Sequence, residues 1–246
     1  MSIFDSLSSM NSSGENSRNT TINSVLIGIV TNIKDPEKLG RVKLKLPLRE
    51  SENETDWVRI ATLMAGKEMG SFFLPEVGDE VLVAFSEGDV RKPFVIGMLW
   101  NSEEPPPEKN EDGKNNIRKF KSRNGNEIIF GDESGKEKIT IHTAKGQIIN
   151  MQDESNGKIE IKDQSGNNLI NIDGAKNEIT IQSNMKMTLK SRSCSIVIDS
   201  TQNSITIESA LQLKIKAQMI DIEAGASMNI KSDGILNIKG TMVKIN

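Results

Sequence analysis

Aliphatic residues recur in pairs, with one residue between the two members, along the second half of the chain. The pairs begin at Ile139 and continue to Ile245, and successive pairs start 7 to 11 residues apart. In a strand, side chains alternate between two faces, so both aliphatic members point to one face and the intervening residue points to the other. Gly, Asn, Asp, Ser and Lys fill the intervals, which is typical of turns. The pattern predicts a stack of short strands, as in β-solenoids and fibrous β-helices.

This repeat offers too few inward side chains for one chain to enclose a core. Each strand supplies two aliphatic residues, and no aromatic residue follows Phe130. Three chains wound around one axis would each contribute a thin aliphatic stripe, and strand edges would pair with neighbouring chains. We therefore predict an all-β, obligately homotrimeric protein whose second half is an intertwined triple-stranded β-helix. The predicted trimer core is formed by Ile139, Ile141, Ile159, Ile161, Ile170, Ile172, Ile179, Ile181, Ile196, Ile198, Ile205, Ile207, Leu213, Ile215, Ile220, Ile222, Met228, Ile230, Leu236, Ile238, Val243 and Ile245.

A different pattern occupies the region before the repeat. Short β-branched or alternating runs are separated by Pro and Gly turns. The runs predict strands at residues 25–30, 42–46, 57–61, 72–75, 80–85 and 93–100. Five or six strands within about 80 residues suit a small closed barrel, and the OB-fold is the natural candidate.

Composition shifts divide the chain further. All seven prolines lie between Pro36 and Pro107, and all nine aromatic residues lie between Phe4 and Phe130. We predict a flexible polar leader at 1–24, an OB-fold domain at 25–104, a linker at 105–117 and a repeat region at 118–246. Wider spacing of the first pairs predicts a looser collar at 118–165 and a regular repeat at 166–246. The leader is too polar to offset the entropy of ordering it, unless it folds onto a neighbour through Ile3, Phe4 and Leu7.

The residues needed for most catalytic chemistry are scarce. The chain has one histidine, one cysteine and no tyrosine. His142 follows Ile141 on a predicted strand and is expected at the surface, and Cys194 lies in a turn-like segment. We therefore predict no catalytic residue, no metal site and no cofactor, and classify the chain as a non-enzyme.

Charge argues against nucleic acid as a partner. The net charge is −3, whereas proteins that grip phosphate backbones are usually basic. The one basic cluster is expected to be a solvated strand edge; it consists of Arg118, Lys119, Lys121 and Arg123. The sequence also lacks a long apolar run and a basic, apolar N-terminal segment, so we expect synthesis in the cytoplasm without a signal peptide.

The predicted barrel resembles the OB domain of contractile-tail spike proteins. The matching strings are Gly40-Arg41-Val42-Lys43, Trp57-Val58-Arg59, residues 74–85, Gly88-Asp89 and residues 93–97. This family includes phage baseplate assembly protein V, the phage tail-spike hub and the VgrG spikes of type VI secretion. The positions that carry the resemblance are Gly40, Arg41, Trp57, Pro75, Gly78, Asp79, Phe85, Gly88, Asp89, Pro93 and Gly97.

The start of the repeat region also resembles this family. Residues 120–132 and 135–142 are similar to the beginning of the VgrG needle, just after its OB domain. The resemblance implies a structural central spike of a phage tail, tailocin or extracellular contractile system. Such a spike docks under the baseplate, is incorporated in the particle and pierces the target envelope when the sheath contracts.

Departures from the family define the expected partners. The leader replaces the large N-terminal hub domain of VgrG, so the resemblance to protein V implies a separate hub protein at the N-terminal end. The linker is too short for an inserted enzyme, and the C-terminal segment lacks the His-x-His pair that holds iron in some short spikes. We expect a separate tip protein of the PAAR type to dock on Val243, Ile245 and Asn246.

Two other classes of function remain to be weighed. A trimeric β-helical fibre or adhesin, which binds a surface without piercing it, would share the repeat but would not need the barrel strings. An enzyme is disfavoured by the shortage of His, Tyr and Cys.

Overall fold

A computed structural model describes residues 24–46 and 54–245. Most of the predicted leader, with Ile3, Phe4 and Leu7, lies outside the described residues, as does Asn246. The described chain is built from strands, with two short 3-10 turns at Ser86–Gly88 and Glu154–Asn156. The prediction of an all-β protein is confirmed. The chain divides into two compact units with the boundary between Lys121 and Ser122.

The first unit contains a five-stranded sheet and a two-stranded hairpin. Its strands are β1 Leu26–Asn32, β2 Lys43–Lys45, β3 Arg59–Ile60, β4 Ala65–Gly66, β5 Met69–Gly70, β6 Glu80–Phe85 and β7 Pro93–Leu99. A further strand, β8 Ile117–Lys121, is not part of the barrel and is the edge strand of a separate seven-stranded sheet. The sheet order is β2-β1-β6-β7-β3. An antiparallel bridge between Val42 and Val58 joins the two outer strands and closes the sheet into a barrel.

The barrel interior is lined by alternate residues of its strands. In β6, for example, the burial pattern alternates strictly, with Val81, Val83 and Phe85 inside. The closed core is almost entirely aliphatic; it contains Val30, Val42, Leu44, Leu46, Val58, Val81, Val83, Phe85 and Val95. This arrangement follows from period-two patterning, because each strand buries one face only.

The prediction of a barrel strand at residues 72–75 was wrong. Residues 72–75 were expected to form a strand, but they have no regular structure, and a short hairpin, β4–β5, precedes them. Phe72 and Phe73 are mostly exposed, so their apolar character does not report burial in the barrel. Pro75 is buried and cannot donate a ladder hydrogen bond, which disfavours a strand at this position.

The second unit begins with a meander of antiparallel strands. They are β9 Glu127–Gly131, β10 Lys138–His142, β11 Ile148–Gln152, β12 Lys158–Lys162, β13 Leu169–Asp173 and β14 Glu178–Gln182. Each strand pairs with the next over five residues without a register shift. A second sheet follows in the order β15-β16-β17, with β15 Lys186–Ser191, β16 Cys194–Asp199 and β17 Ser204–Ser209.

Strand pairing in the second unit differs from the sequence-based expectation. From β9 to β14 and from β15 to β17, the ladders form between strands of the same chain. The expectation that every strand edge pairs with a neighbouring chain is therefore wrong for these strands. Turns of two to six residues, most of them rich in Gly, Asn and Asp, allow the chain to fold back on itself, which pairs neighbouring repeats locally.

The last five aliphatic pairs lie outside any assigned strand. Residues 210–245 contain no strand among the described residues, and every side chain there is exposed. Their aliphatic members, from Leu213 to Ile245, are between 47 and 87% exposed. The sequence predicted strands in this segment; the single chain supplies no ladder partner for them.

Candidate assembly face

The register of the meander aligns the aliphatic pairs into two continuous rows across the sheet. One row contains Phe130, Ile139, Met151, Ile159, Ile172 and Ile179, and the other contains Ile128, Ile141, Ile149, Ile161, Ile170 and Ile181. In the second sheet the same alignment gives the rows Met187, Ile198, Ile205 and Leu189, Ile196, Ile207. Directly opposed residues of an antiparallel pair lie on the same side of the sheet. We call the side that carries these rows the aliphatic face.

The aliphatic face is the more exposed side of the single chain. In β12, the burial pattern places Ile159 and Ile161 outside and their polar neighbours partly inside. The rows are about two-fifths exposed at the centre of the meander, as at Ile161 with 43%. In an antiparallel sheet of an ordinary domain, the apolar face is the covered one. Contiguous exposed apolar surface of this extent marks an interaction site.

The opposite face is polar and held together by its own side chains. Glu160, at its centre, lies between two lysines, with its carboxylate oxygens 3.4 Å from Lys158 Nζ and 2.7 Å from Lys162 Nζ. The Lys162 hydrogen bond is the largest of the effects that lower the pKa of Glu160. In the neighbouring strands, the Thr140 hydroxyl donates to Asn150 Oδ1 over 2.8 Å. This side of the sheet is suited to contact with water.

Carboxylates also fix the ends of the strands. Asp199 is 6% exposed and accepts hydrogen bonds from the backbone and hydroxyl of Thr201, while its other oxygen lies 3.2 Å from Lys186 Nζ. These contacts lower the pKa of Asp199, the hydroxyl of Thr201 most strongly. The Asp199 carboxylate therefore stabilises the turn between β16 and β17 and holds Lys186, the first residue of β15.

The positions that carry the barrel resemblance lie in turns and in the core. Gly78 and Gly40 have φ of 107° and 69°, in the left-handed region that favours glycine. Pro75, Phe85 and Gly88 are buried, and Trp57 lies beneath the Lys43 ammonium at 5.6 Å from the ring centroid. Asp79 accepts a hydrogen bond from the backbone of Glu76. Pro93 begins β7, and Gly97 lies within that strand.

Two arginine–aspartate pairs stabilise barrel loops. Asp35 Oδ1 and Oδ2 accept hydrogen bonds from Arg41 over 2.7 and 2.9 Å, and Asp35 also accepts from the backbone of Glu37 and Leu39. The Arg41 guanidinium holds the pKa of Asp35 well below its usual range. In the loop between β6 and β7, Arg91 lowers the pKa of Asp89 to about 2.

His142 and Cys194, the residues weighed for catalysis or metal binding, do not form a common site. His142 Nε2 lies 3.9 Å from Glu127, and Cys194 is exposed with Ser209 Oγ 3.6 Å from its sulfur. Among residues 24–46 and 54–245, no group of three or more His, Cys, Asp or Glu side chains could hold a metal ion. In the basic cluster, Lys119 lies 3.3 Å from Glu108 and its side chain is only 13% exposed. Lys119 therefore contacts the linker, and the expectation that its side chain is solvated is wrong.

One pair of the aliphatic face was not predicted from the sequence. Ile128 and Phe130 of β9 lie opposite Ile141 and Ile139 and extend both rows by one strand. The intervening residue is Ile129, so the local pattern is continuously apolar rather than alternating. The spacing of about ten residues to the next pair was the signal that could have identified it.

Comparison with known proteins agrees with this geometry in the barrel. Residues 26–100 match the family described as the type VI secretion system/phage-baseplate injector OB domain. These residues run from the first barrel strand to just beyond the last strand of its sheet. By this barrel, the chain is similar to the VgrG-like spike proteins.

Individual spike proteins show the same relationship. The chain is 33% identical over 129 residues to the type VI secretion system spike protein VgrG1b of Pseudomonas aeruginosa, covering 48% of this chain and 17% of that protein. It is 32% identical over 117 residues to VgrG3 of Vibrio cholerae, covering 44% and 12%. A further Vibrio cholerae relative, 32% identical over 114 residues, is named actin cross-linking toxin VgrG1, with coverage of 43% and 10%.

The matches cover only a small part of each relative's length. The chain spans less than a fifth of the length of each of them. The prediction of a contractile-tail spike relationship with an OB domain is confirmed. In the part of the chain that the structure describes, no helix has the length and apolar character to cross a membrane.

Proposed function

We propose that this chain is the structural central spike of a contractile injection system. The observation that carries the proposal is the aliphatic face, two rows of exposed side chains on a sheet whose polar face is the better covered. A sheet with an exposed apolar face needs another surface to cover that face. The barrel of the same chain matches a family of injector domains. The spike proteins that share the barrel are named components of type VI secretion.

Three copies of the chain would cover the aliphatic face. Each copy presents its aliphatic face, and three such faces turned toward a common axis would enclose a narrow core with no lumen. Each copy keeps its polar face toward water. Burying an aliphatic side chain contributes roughly 1.5–3 kcal/mol, and about two-fifths of that remains to be gained at each central position. The predicted core residues in β10–β17 would contribute through this contact between faces.

The segment after Ser209 would join the assembly differently. Its aliphatic pairs are exposed and unpaired in the single chain, so backbone partners for residues 210–245 would come from the other two copies. Interchain ladders would satisfy the backbone groups that one chain leaves open. The intertwined triple-stranded β-helix predicted from the sequence is retained as a proposal for this segment.

The mechanical role follows from this construction. A rod whose strands lie in hydrogen-bonded sheets around a dry core resists compression and bending because all its backbone and side-chain contacts must break together. We propose that the barrel docks under a separate hub protein and that the exposed end near Val243 and Ile245 receives a tip protein of the PAAR type. The rod would breach the target envelope when the sheath contracts, without enzymatic activity of its own.

The native mass of the purified full chain tests the assembly. Three chains of 27.1 kDa give about 81 kDa, which light scattering separates clearly from one chain. A mass of 27 kDa would contradict the proposal. Cryo-electron microscopy of particles from the producing organism then tests the role, because a spike lies as a three-fold density on the tube axis beneath the baseplate.

A fibre or adhesin is the alternative that the aliphatic face alone would permit. It would place the same rod at the periphery of a particle and would bind target cells as a purified protein. The injector barrel favours the spike, because a peripheral fibre does not require it.

A further inference from the structure

The barrel carries an apolar surface that its own core does not use. We call it the hairpin patch; it consists of Leu63, Met64, Met69, Phe72 and Phe73, on and beside the β4–β5 hairpin. Leu63 is 93% exposed, Phe72 is 77% exposed and the others are more than half exposed. Ile96 and Met98 of β7 line the same surface. The only charged residues between Ile60 and Leu74 are Lys67 and Glu68 at the hairpin tip.

The hairpin that presents this patch is firmly held. The Thr62 hydroxyl donates to the Ser71 carbonyl over 2.7 Å, and the Ser71 amide donates to the Met64 carbonyl over 3.0 Å. Gly70 has φ of 151°, and a Cβ at this position would collide with the Met64 carbonyl. Local hydrogen bonds and an obligatory glycine therefore fix large apolar side chains in the solvent, which is unfavourable unless another surface covers them.

We infer that the hairpin patch is covered by a second copy of this chain. The patch is continuous with the last strand of the first unit, because the Phe73 ring stacks on the Phe120 ring with centroids 6.1 Å apart. Phe120 lies in β8, and the chain enters the second unit one residue after that strand's end, at Ser122. The patch thus adjoins the place where each chain continues into the proposed trimeric rod.

Covalent connection makes a second copy the favoured occupant. Three rods joined along one axis hold three barrels at a high mutual concentration, in the millimolar range for short linkers. At such concentrations a modest apolar contact suffices to keep barrels together. The hairpin tip has no net charge, since Lys67 offsets Glu68, so the approaching copies do not repel each other there. This inference rests on the proposed trimer and assigns a barrel surface to it.

Site-directed crosslinking of the full chain tests the inference. Leu63→Cys and Lys92→Cys are each made in a Cys194→Ser background, so that each protein has one thiol. Lys92 is also exposed, but it does not line the patch. With a short bifunctional maleimide, we expect crosslinked chains from Leu63→Cys at several times the yield obtained from Lys92→Cys. A yield from Leu63→Cys no higher than that from Lys92→Cys, in protein of trimeric mass, would overturn the inference and leave the proposed rod intact.

A second variant tests the apolar contact itself. Adding Phe72→Asp to the Leu63→Cys protein should reduce the crosslinked yield several-fold while the native mass stays trimeric. Val77→Asp is the control, because Val77 is 58% exposed and lies outside the patch. Equal yields from the two variants would show that the patch does not contact another copy. A single-chain mass for the unmodified protein would instead refute the proposed trimer, which is a separate failure.

Discussion

Replacing Ile161 by glutamate tests whether the aliphatic face drives assembly. Ile161 lies on β12 at the middle of one row, directly opposite Ile149 on one side and Ile170 on the other. Its side chain is 43% exposed in the single chain, so the change is tolerable before assembly and damaging afterwards.

The magnitude follows from the exposed fraction. Full burial of an aliphatic side chain contributes about 1.5–3 kcal/mol, so the exposed part of Ile161 would contribute about 0.6–1.3 kcal/mol per copy and roughly 2–4 kcal/mol per trimer. Removing a carboxylate from water costs several kcal/mol per ion, and three would lie near one axis. Together these effects exceed about 10 kcal/mol, enough to abolish a micromolar trimer.

Light scattering of the variant at micromolar concentration is the assay, with far-ultraviolet circular dichroism to show that strands persist. Gln182→Glu is the matched control, since it adds the same charge on β14 at an exposed position of the opposite face. We expect Ile161→Glu to be a single chain and Gln182→Glu to remain trimeric. A trimeric Ile161→Glu protein as stable to heat as the control would refute the role assigned to the face.

Three further outcomes are expected. Asp35→Asn should lower the thermal midpoint of the barrel at pH 7. Because Arg41 depresses the pKa of Asp35 in the folded state, the stability advantage of the wild type over this variant is complete above about pH 4 and shrinks as the pH falls further. Thermal unfolding of both proteins between pH 7 and pH 2 measures this difference. A chain ending at Gly131 should be monomeric by light scattering, and a stable trimer would mean that the aliphatic pairs do not drive assembly. Cys194 shares the aliphatic face with Ile196, so a thiol reagent should label it slowly in the native assembly and rapidly in Ile161→Glu; fast labelling of both would place it outside the core.

The class of the protein was predictable because its signals are local. Alternation at Val81, Val83 and Phe85 specifies a half-buried strand wherever it occurs, and turn residues such as Gly78 require particular backbone angles. The aliphatic pairs likewise predicted strands for β10–β17, since period two is a property of the extended backbone itself. The apolar run at residues 72–75 misled the prediction because hydrophobicity alone does not distinguish a core strand from an exposed patch.

The pairing partner of each strand in the second unit could not be predicted from the sequence. Spacing of the pairs did not indicate whether a strand such as β12 pairs with its own neighbours or with another chain, because both arrangements satisfy the same backbone groups. The structure decided this: β11 and β13 flank β12 in uninterrupted register. The face at Ile161 could then be identified as the exposed one, which changes the proposed assembly of the first part of the rod from intertwined strands to packed sheets.

The sequence by itself determined which residues are apolar, where strands alternate and which family the barrel resembles, because these depend on side-chain order and turn chemistry. Only the tertiary structure aligned the pairs into two rows, showed the polar face to be the better covered and revealed the hairpin patch around Phe72. Such properties depend on distances between residues far apart in the chain, which the order of residues does not specify.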